Sequence, residues 1–292
     1  MTQDHNREVA IVTGAGSGIG RAAAARLVAD GFRVVLADLN LPNAERAAQE
    51  IEEQSPGSTA VVKADVRLEP DVEQMVRTAI NTFGRIDVLV NNAGLGGAFG
   101  VVTETSVEDW DFTFEVLVRG VFLGIKHAVP VMTDGGRIVN IASIAAYNGS
   151  SGAMAYSAAK HAVIGITRSA AVELGSRGIR VNAVSPGVIR TPLMEAGSDP
   201  SRLDSILPVA QVTQRWGHVD DIAGAIAFLS GKDSGFVNGE SIVVDGGLVA
   251  AGPGGDSFGH LGIDPKTRGL VGVNRGSTGE RSEVRKRLSE PS

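Results

Sequence analysis

A serine, a tyrosine and a lysine stand close together in the middle of this 292-residue chain. Ser143 closes an apolar, β-branched run (Ile138, Val139, Ile141) that reads as a buried strand, and a Gly/Ser-rich loop follows, from Asn148 to Gly152. Tyr156 and Lys160 then fall four residues apart at the start of a long Ala-rich helix pattern. That spacing puts both side chains on one helix face. A phenol beside an ammonium is an acid/base device. The free phenol titrates near ~10, a neighbouring positive charge favours the phenolate, and a general acid or base works best nearer the working pH. The same pair also arises by chance on helix surfaces, so the elements around it decide its meaning.

A second stretch with chemistry lies at the start. Residues 8–13, EVAIVT, read as a short buried strand; TGAGSGIG follows at once over 13–20, and RAAAARLVADG then has a helix pattern ending at Gly31. Strand, Gly-rich turn and helix form the context in which glycines admit a pyrophosphate close to the backbone, and the helix N-terminus offers it unpaired N–H groups. A second strand, RVVLAD, ends in Asp38, about 20 positions past the glycines, where a carboxylate accepts hydrogen bonds from an adenosine ribose and repels a 2′-phosphate. Neither Ser17 nor Leu39, beside the expected phosphate position, supplies a positive charge. NAD is therefore expected over NADP.

Composition removes other classes. The net charge of −6 and the pI of about 5.4 argue against a nucleic-acid or anionic-membrane partner. There is no cysteine, so disulfides, thiolate nucleophiles and Cys-ligated metals are excluded. The five histidines form no metal-ligand spacing, and no metal is expected. The start, MTQDHNREVA, lacks an apolar signal core, and no apolar run reaches the ~18 residues of a membrane helix. A cytoplasmic protein is the expectation.

The remaining chain alternates strand and helix patterns. Helices are expected over 42–54, 69–84, 107–132 (one long element), the stretch containing Tyr156 and Lys160, and 219–231. Strands are expected at 59–66, 85–94, 178–187 and 239–247. Such alternation implies a mostly parallel sheet covered by helices on both faces, with ligands bound beyond the strand carboxyl ends at the switch point. Gly14, Asp38, Asp65, Asn92, Ser143 and Pro186 all fall at such ends and should share one rim.

Together these residues resemble the short-chain dehydrogenase/reductase family from Val9 to Gly247, with motifs that agree in type, order and spacing. TGAGSGIG is similar to the family's cofactor turn, with Gly14, Gly18 and Gly20 at the marked positions and Ser17 and Ile19 between them. Asp65 and Val66 match the pair that contacts adenine, and NNAG (Asn91, then Asn92, Ala93, Gly94) matches the central-strand motif. Ser143, Tyr156 and Lys160 match the catalytic Ser and YxxxK. SPGVIRTP matches the segment closing over nicotinamide, with Pro186 and Gly187 at its turn and Ile189 and Thr191 facing the carboxamide.

The resemblance implies an α/β, Rossmann-type doubly wound, mostly parallel seven-stranded sheet in a single domain. It implies NAD as cofactor, a small-molecule secondary alcohol or ketone as substrate, and a homotetramer. Tyr156 is then the general acid/base, Lys160 lowers its pKa and holds the nicotinamide ribose, and Ser143 polarises the substrate oxygen. One position departs from the pattern: Leu117 stands where the family has an Asn that positions a water in a proton relay.

Residues 1–249 are expected to form the catalytic domain. The variable substrate loop, Leu193 to Trp216, holds Leu193, Met194, Ile206, Leu207, Pro208, Val209, Val212 and Trp216, which suggests an apolar pocket completed by Ser143, Tyr147 and Tyr156. Residues 250–292 form a Gly-rich extension, either disordered or lying over the active site of its own or a neighbouring subunit. Phe258, Leu261, Ile263, Leu270, Val271 and Val273 favour the second reading. Two other functions fit less well. A 3-oxoacyl thioester reductase is opposed by Asp38, and a catalytically weak NAD-binding regulator or scaffold rests on Leu117 alone.

Overall fold

The structure is a computed structural model that describes residues 7–149, 153–195 and 212–252, with the backbone of 270–273 and 283–286. Its elements are β1 (Val9–Thr13), α1 (Gly18–Ala29), β2 (Arg33–Asp38), α2 (Leu41–Glu52), β3 (Thr59–Lys63), α3 (Glu69–Phe83), β4 (Val88–Asn91), α4 (Val107–Phe114), α5 (Gly120–Ala128), β5 (Arg137–Ile141), α6 (Met154–Leu174), β6 (Arg180–Pro186), α7 (Pro192–Glu195), α8 (Val219–Ser230), β7 (Ser241–Val244) and α9 (Leu248–Ala251). Seven strands form one sheet in the order β3-β2-β1-β4-β5-β6-β7, every pair parallel. The winding direction reverses between β1 and β4, which makes the carboxyl ends of those two strands the switch point.

The strands are apolar throughout because both sheet faces are covered. Along β1, Ala10 and Val12 belong to one buried cluster with Leu27 of α1 and Ile222 and Ile226 of α8. The alternate residues Val9 and Ile11 belong to a second with Met75 of α3, Leu123 of α5 and Leu174 of α6. Full burial of each large side chain contributes about 1.5–3 kcal/mol. Helix ends follow their local chemistry. Pro70 sits in the first turn of α3 and Gly84 closes it at φ 83°, a left-handed conformation that favours glycine.

The single helix expected over 107–132 is divided. A π-helical turn, Glu115–Arg119, separates α4 from α5, and a 3₁₀ turn containing Pro130 ends the segment. The extra residue in the π turn resets the face that α5 turns to the sheet. Gly120 and Gly124 then come so close to Val66 and Asn91 that an added Cβ would stand 2.9 Å from Val66 Cγ2 and 2.3 Å from Asn91 Oδ1. The hydrophobic pattern carries no sign of this, because it records which residues are buried and not which turn is widened.

Past the family-like region, Leu270–Val273 pairs antiparallel with Glu283–Lys286 (β8 and β9), a second small sheet that the sequence reading does not contain. Phe258, Leu261 and Ile263 of the extension lie outside the described residues, as do Ile206 to Val209 of the substrate loop.

A buried polar chain ties α6 to the sheet. Asn91 Nδ2 donates to Asn140 Oδ1 at 2.9 Å, Asn140 Nδ2 donates to Thr167 Oγ1 at 3.0 Å, and Thr167 donates to the Val163 carbonyl at 2.8 Å. Asn91 and Asn140 are register partners on β4 and β5, so the chain crosses two strands before it reaches the helix. Asn140→Ala strands the Asn91 amide and opens a small void. The expected loss is about 2–4 kcal/mol in urea denaturation at an unchanged m-value. Adding Asn91→Ala should then cost less than it does alone, because the two side chains share one bond.

Candidate active site

The rim of the sheet carries a cavity of about 410 Å³, within the ordinary range for small-molecule sites. Gly14, Asp38, Asp65, Asn92, Ser143 and Pro186 all line it, so the strand ends do share one wall. Ser17, Gly18, Ile19, Leu39, Val66, Ala93, Gly94, Gly187, Ile189 and Thr191 line it too, as do Tyr156 and Lys160. Gly20 is the one member of the expected cofactor set outside the lining. It serves from beneath: a Cβ there would stand 2.1 Å from the Gly14 carbonyl oxygen and 2.5 Å from Asn92 Nδ2. Only glycine lets α1 start this close to the turn.

At the head of α1, the N-cap Ser17 makes no side-chain capping bond and the first turn holds no acidic residue. Its leading N–H groups and positive dipole end therefore have neither an N-cap side chain nor an acidic residue of the first turn to answer them. Gly18, at φ 52°, carries the backbone past this point in a left-handed conformation, and an added Cβ would stand 3.6 Å from Thr191 Cγ2. These features fit a pyrophosphate. Asp38 Oδ2 accepts from the Gly16 N–H and Oδ1 from the Asn40 N–H, both at 2.8 Å, so the carboxylate braces the glycine turn while it lines the cavity. Each oxygen keeps a further lone pair for a ribose hydroxyl.

Thr13 is a positioning residue that the sequence reading passed over. Its hydroxyl accepts from the N–H groups of Asn92 (2.9 Å) and Ala93 (3.0 Å), and Asn92 Nδ2 returns a bond to the Thr13 carbonyl at 2.8 Å. The only signal in the sequence was its place at the end of a strand before the glycines.

Ser143 has extended backbone, and its Oγ accepts from the Ala145 N–H at 3.1 Å. With a lone pair held there, the hydroxyl proton is turned outward, and Ser143 bonds the Tyr156 hydroxyl. Lys160, one helical turn on, is buried, and its Nζ donates to the Ile141 carbonyl at 2.8 Å and lies 5.6 Å from the centre of the Tyr156 ring. Burial lowers the Lys160 pKa from 10.5 to about 8. Burial raises that of Tyr156, opposed by the Ser143 hydrogen bond. The resemblance implies that Lys160 lowers this pKa; its ammonium here donates to the Ile141 carbonyl beside the ring.

Leu117 lies in the π-helical turn, 1% exposed, with Cδ2 against Gly94. An apolar group thus fills the place where the resemblance leads one to expect an amide. Leu193 and Met194 line the cavity, whereas Tyr147 and Trp216 are outside its lining. Tyr147 donates its hydroxyl to the Ser241 carbonyl on β7 at 3.1 Å, and Trp216 lies under Arg190. Away from the cavity, folding brings His127 to Glu69 and Glu73, a trio that sequence spacing did not reveal. Glu69 is already paired there with Lys126 and His127.

The Lys160 shift has a consequence for stability. The folded protein binds this proton more weakly than the unfolded chain, so stability rises with pH from about 8 to 10.5, and the full penalty is present below about 8. Lys160→Met removes the buried charge. At pH 7 the variant should gain up to about 3 kcal/mol, less whatever the orphaned Ile141 carbonyl costs, and its alkaline slope should vanish. Urea denaturation at pH 7 and pH 10 measures both.

Comparison with known proteins agrees with this geometry. Residues 14–249 match the family described as Enoyl-(Acyl carrier protein) reductase. The chain is 38% identical over 252 residues to a cyclohexanol dehydrogenase of Acinetobacter sp., covering 86% of this chain and 98% of that one. Among solved structures, levodione reductase superposes with a TM-score of 0.80 at 37% identity, covering 84% of this chain and 98% of the other. A blue fluorescent protein from a metagenomic library, in complex with NADPH, superposes with a TM-score of 0.76 at 39% identity, covering 84% and 99%. A doubly wound parallel sheet, a glycine turn under an open helix end, a Ser-Tyr-Lys group on the same rim and these relatives agree: the chain belongs to the short-chain dehydrogenase/reductase family, nicotinamide-dependent oxidoreductases that act on CH–OH and C=O groups.

Proposed function

We propose that this protein is an NAD-dependent dehydrogenase that interconverts a small secondary alcohol and its ketone, with Ser143, Tyr156 and Lys160 as its catalytic group. The observation that carries the reading is the convergence of these three side chains on the cavity that also holds the glycine turn and Asp38. Gly14, Gly18 and the head of α1 would hold the pyrophosphate, Asp38 the adenosine ribose, Lys160 the nicotinamide ribose, and Ile189 and Thr191 the carboxamide. The bound cofactor supplies or accepts the hydride. Tyr156 gives its phenolic proton to the substrate oxygen in reduction and takes it back in oxidation. Ser143, its lone pair held by the Ala145 N–H, donates to the same oxygen and stabilises the charge that develops there.

NAD rather than NADP is favoured by the charges of the cavity wall. Asp38 stands at the ribose position, and the cations in the lining are Lys160, at the Tyr156 end, and Arg67, which is engaged by Asp65. Leu193 and Met194, with Leu95 and Pro192, make the substrate end apolar, which suits an uncharged alcohol of some bulk. The extension from 250 is a separate segment in this reading, its two-stranded pair favouring an ordered tail. Exposed apolar residues on α4, α5 and α6 (Val107, Phe122, Val172) favour self-association, and a mass of four chains by light scattering is expected.

A panel of secondary alcohols and ketones assayed with NAD and NADP tests the reading, and activity confined to NADP would overturn the cofactor assignment. Tyr156→Phe should bind NADH as the parent does, by fluorescence titration, and lose about 10²–10⁴ in turnover. Because burial holds the Tyr156 pKa up, the phenol is protonated at neutral pH. Ketone reduction should therefore be nearly flat from about pH 6 to 8, while alcohol oxidation, which needs the phenolate, should rise with pH over the same range. Leu117→Asn reports on proton delivery: a large gain in turnover would show that the apolar side chain slows it.

A further inference from the structure

Among the charged residues of the cavity wall, Arg67 is the one to which neither the family likeness nor the proposed chemistry gives a role. It lies in the connection between β3 and α3, and its side chain folds back on Asp65. Nε stands 3.0 Å from Oδ1 and 3.1 Å from Oδ2, Nη2 stands 2.6 Å from Oδ2, and the Arg67 backbone N–H donates to Oδ1 at 3.0 Å. A guanidinium bound this way is fixed along one edge. It is also fixed across one face, because its carbon lies 4.8 Å from the ring centre of Phe112 on α4. Asp65, Arg67 and Phe112 thus join two separate elements at the cavity, and all three line it beside Val66. A cation that needed to follow a mobile anionic group would keep its rotamer freedom. This one has lost that freedom and presents a flat, delocalised surface instead, the kind on which an aromatic base stacks.

We propose that Arg67 is an adenine-binding residue of this protein: its guanidinium, clamped between Asp65 and Phe112, stacks on the base and holds the Asp65 carboxylate aimed at the base's exocyclic amino group. The proposal rests on the dinucleotide reading above and deepens it. It assigns the adenine end a cationic platform in place of a purely apolar slot, and it gives Phe112 a role as the second anchor of that platform. It also explains why a cation can sit in this wall without selecting NADP. Its Nε–Nη2 edge, which could otherwise fork a phosphate, is occupied by Asp65.

Isothermal titration of the full chain with NADH, ADP-ribose, reduced nicotinamide mononucleotide and adenosine 2′,5′-bisphosphate tests this. Arg67→Ala should weaken NADH and ADP-ribose by about tenfold and leave the mononucleotide, which has no adenine, unchanged. At saturating NADH, kcat should stay within about twofold while KM for NADH rises. Arg67→Lys keeps the charge but not the plane, and should recover only a minor part of the loss. Phe112→Leu should move the same constants in the same direction by a smaller factor, and it carries the test alone if loss of Arg67 unfolds the protein. ADP-ribose binding by Arg67→Ala within about twofold of the parent would overturn the proposal. So would equal weakening of the mononucleotide, full rescue by Lys, or a loss confined to the 2′,5′-bisphosphate. A parent protein that binds neither NADH nor ADP-ribose defeats the dinucleotide reading itself, and the proposal with it. A parent that binds both while no variant changes either defeats the proposal alone.

Discussion

A parallel sheet that reverses its winding leaves two neighbouring strands whose exits diverge, and something has to hold those two ends together across the gap. Thr13 and Asn92 do so here. The Thr13 hydroxyl caps the Asn92 and Ala93 N–H groups, and the Asn92 amide answers to the Thr13 carbonyl. Three backbone groups that the diverging chains would leave unpaired are satisfied at once. The glycine turn leaves β1 from this clasp and the Asn92–Gly94 wall leaves β4 from it, so the two sides of the cavity are set relative to each other by a few hydrogen bonds. Gly20 completes the arrangement by letting α1 start in contact with the Gly14 carbonyl.

The Ser143–Tyr156–Lys160 group depends on a second constraint. An ammonium buried without a carboxylate is destabilising. Lys160 is kept in place by the carbonyl at the end of β5 and by a helix that the Asn91–Asn140–Thr167 chain anchors to two strands. The gain is geometric: Tyr156 and Lys160 stay on one face, at fixed depth, beside Ser143. Burial moves the two pKa values in opposite senses, up for the phenol and down for the ammonium, which sets them apart and leaves the ammonium the stronger acid of the pair. Leu117 fits this setting as an apolar plug in a widened helical turn, against Gly94 of the cavity wall.

The opposite end of the cavity is organised by charge. Asp38 ends β2 and Asp65 lies two residues past β3, and each is already engaged, Asp38 by backbone N–H groups and Asp65 by Arg67. Both carboxylates are thereby oriented before any ligand arrives, which lowers the ordering cost of binding.

Much of this was legible in the chain. Period and composition determined the strand–helix alternation, because a strand buried on both faces must be apolar along its whole length. That the glycine turn, Asp38, Asp65, Ser143, Tyr156 and Lys160 would share one cavity was readable because their places follow from position at a strand end or from spacing along one helix, both local properties. What the tertiary structure alone decided concerns partners far apart in sequence. Thr13 meets Asn92, Arg67 meets Phe112, Tyr147 reaches Ser241 and so leaves the cavity wall, and His127 meets Glu69. The π-helical turn at Leu117 and the direction in which the Lys160 ammonium points belong to the same class. Periodicity records how often a side chain is buried. Which groups meet in the interior is set by strand order and helix docking, and these exist only once the chain has folded.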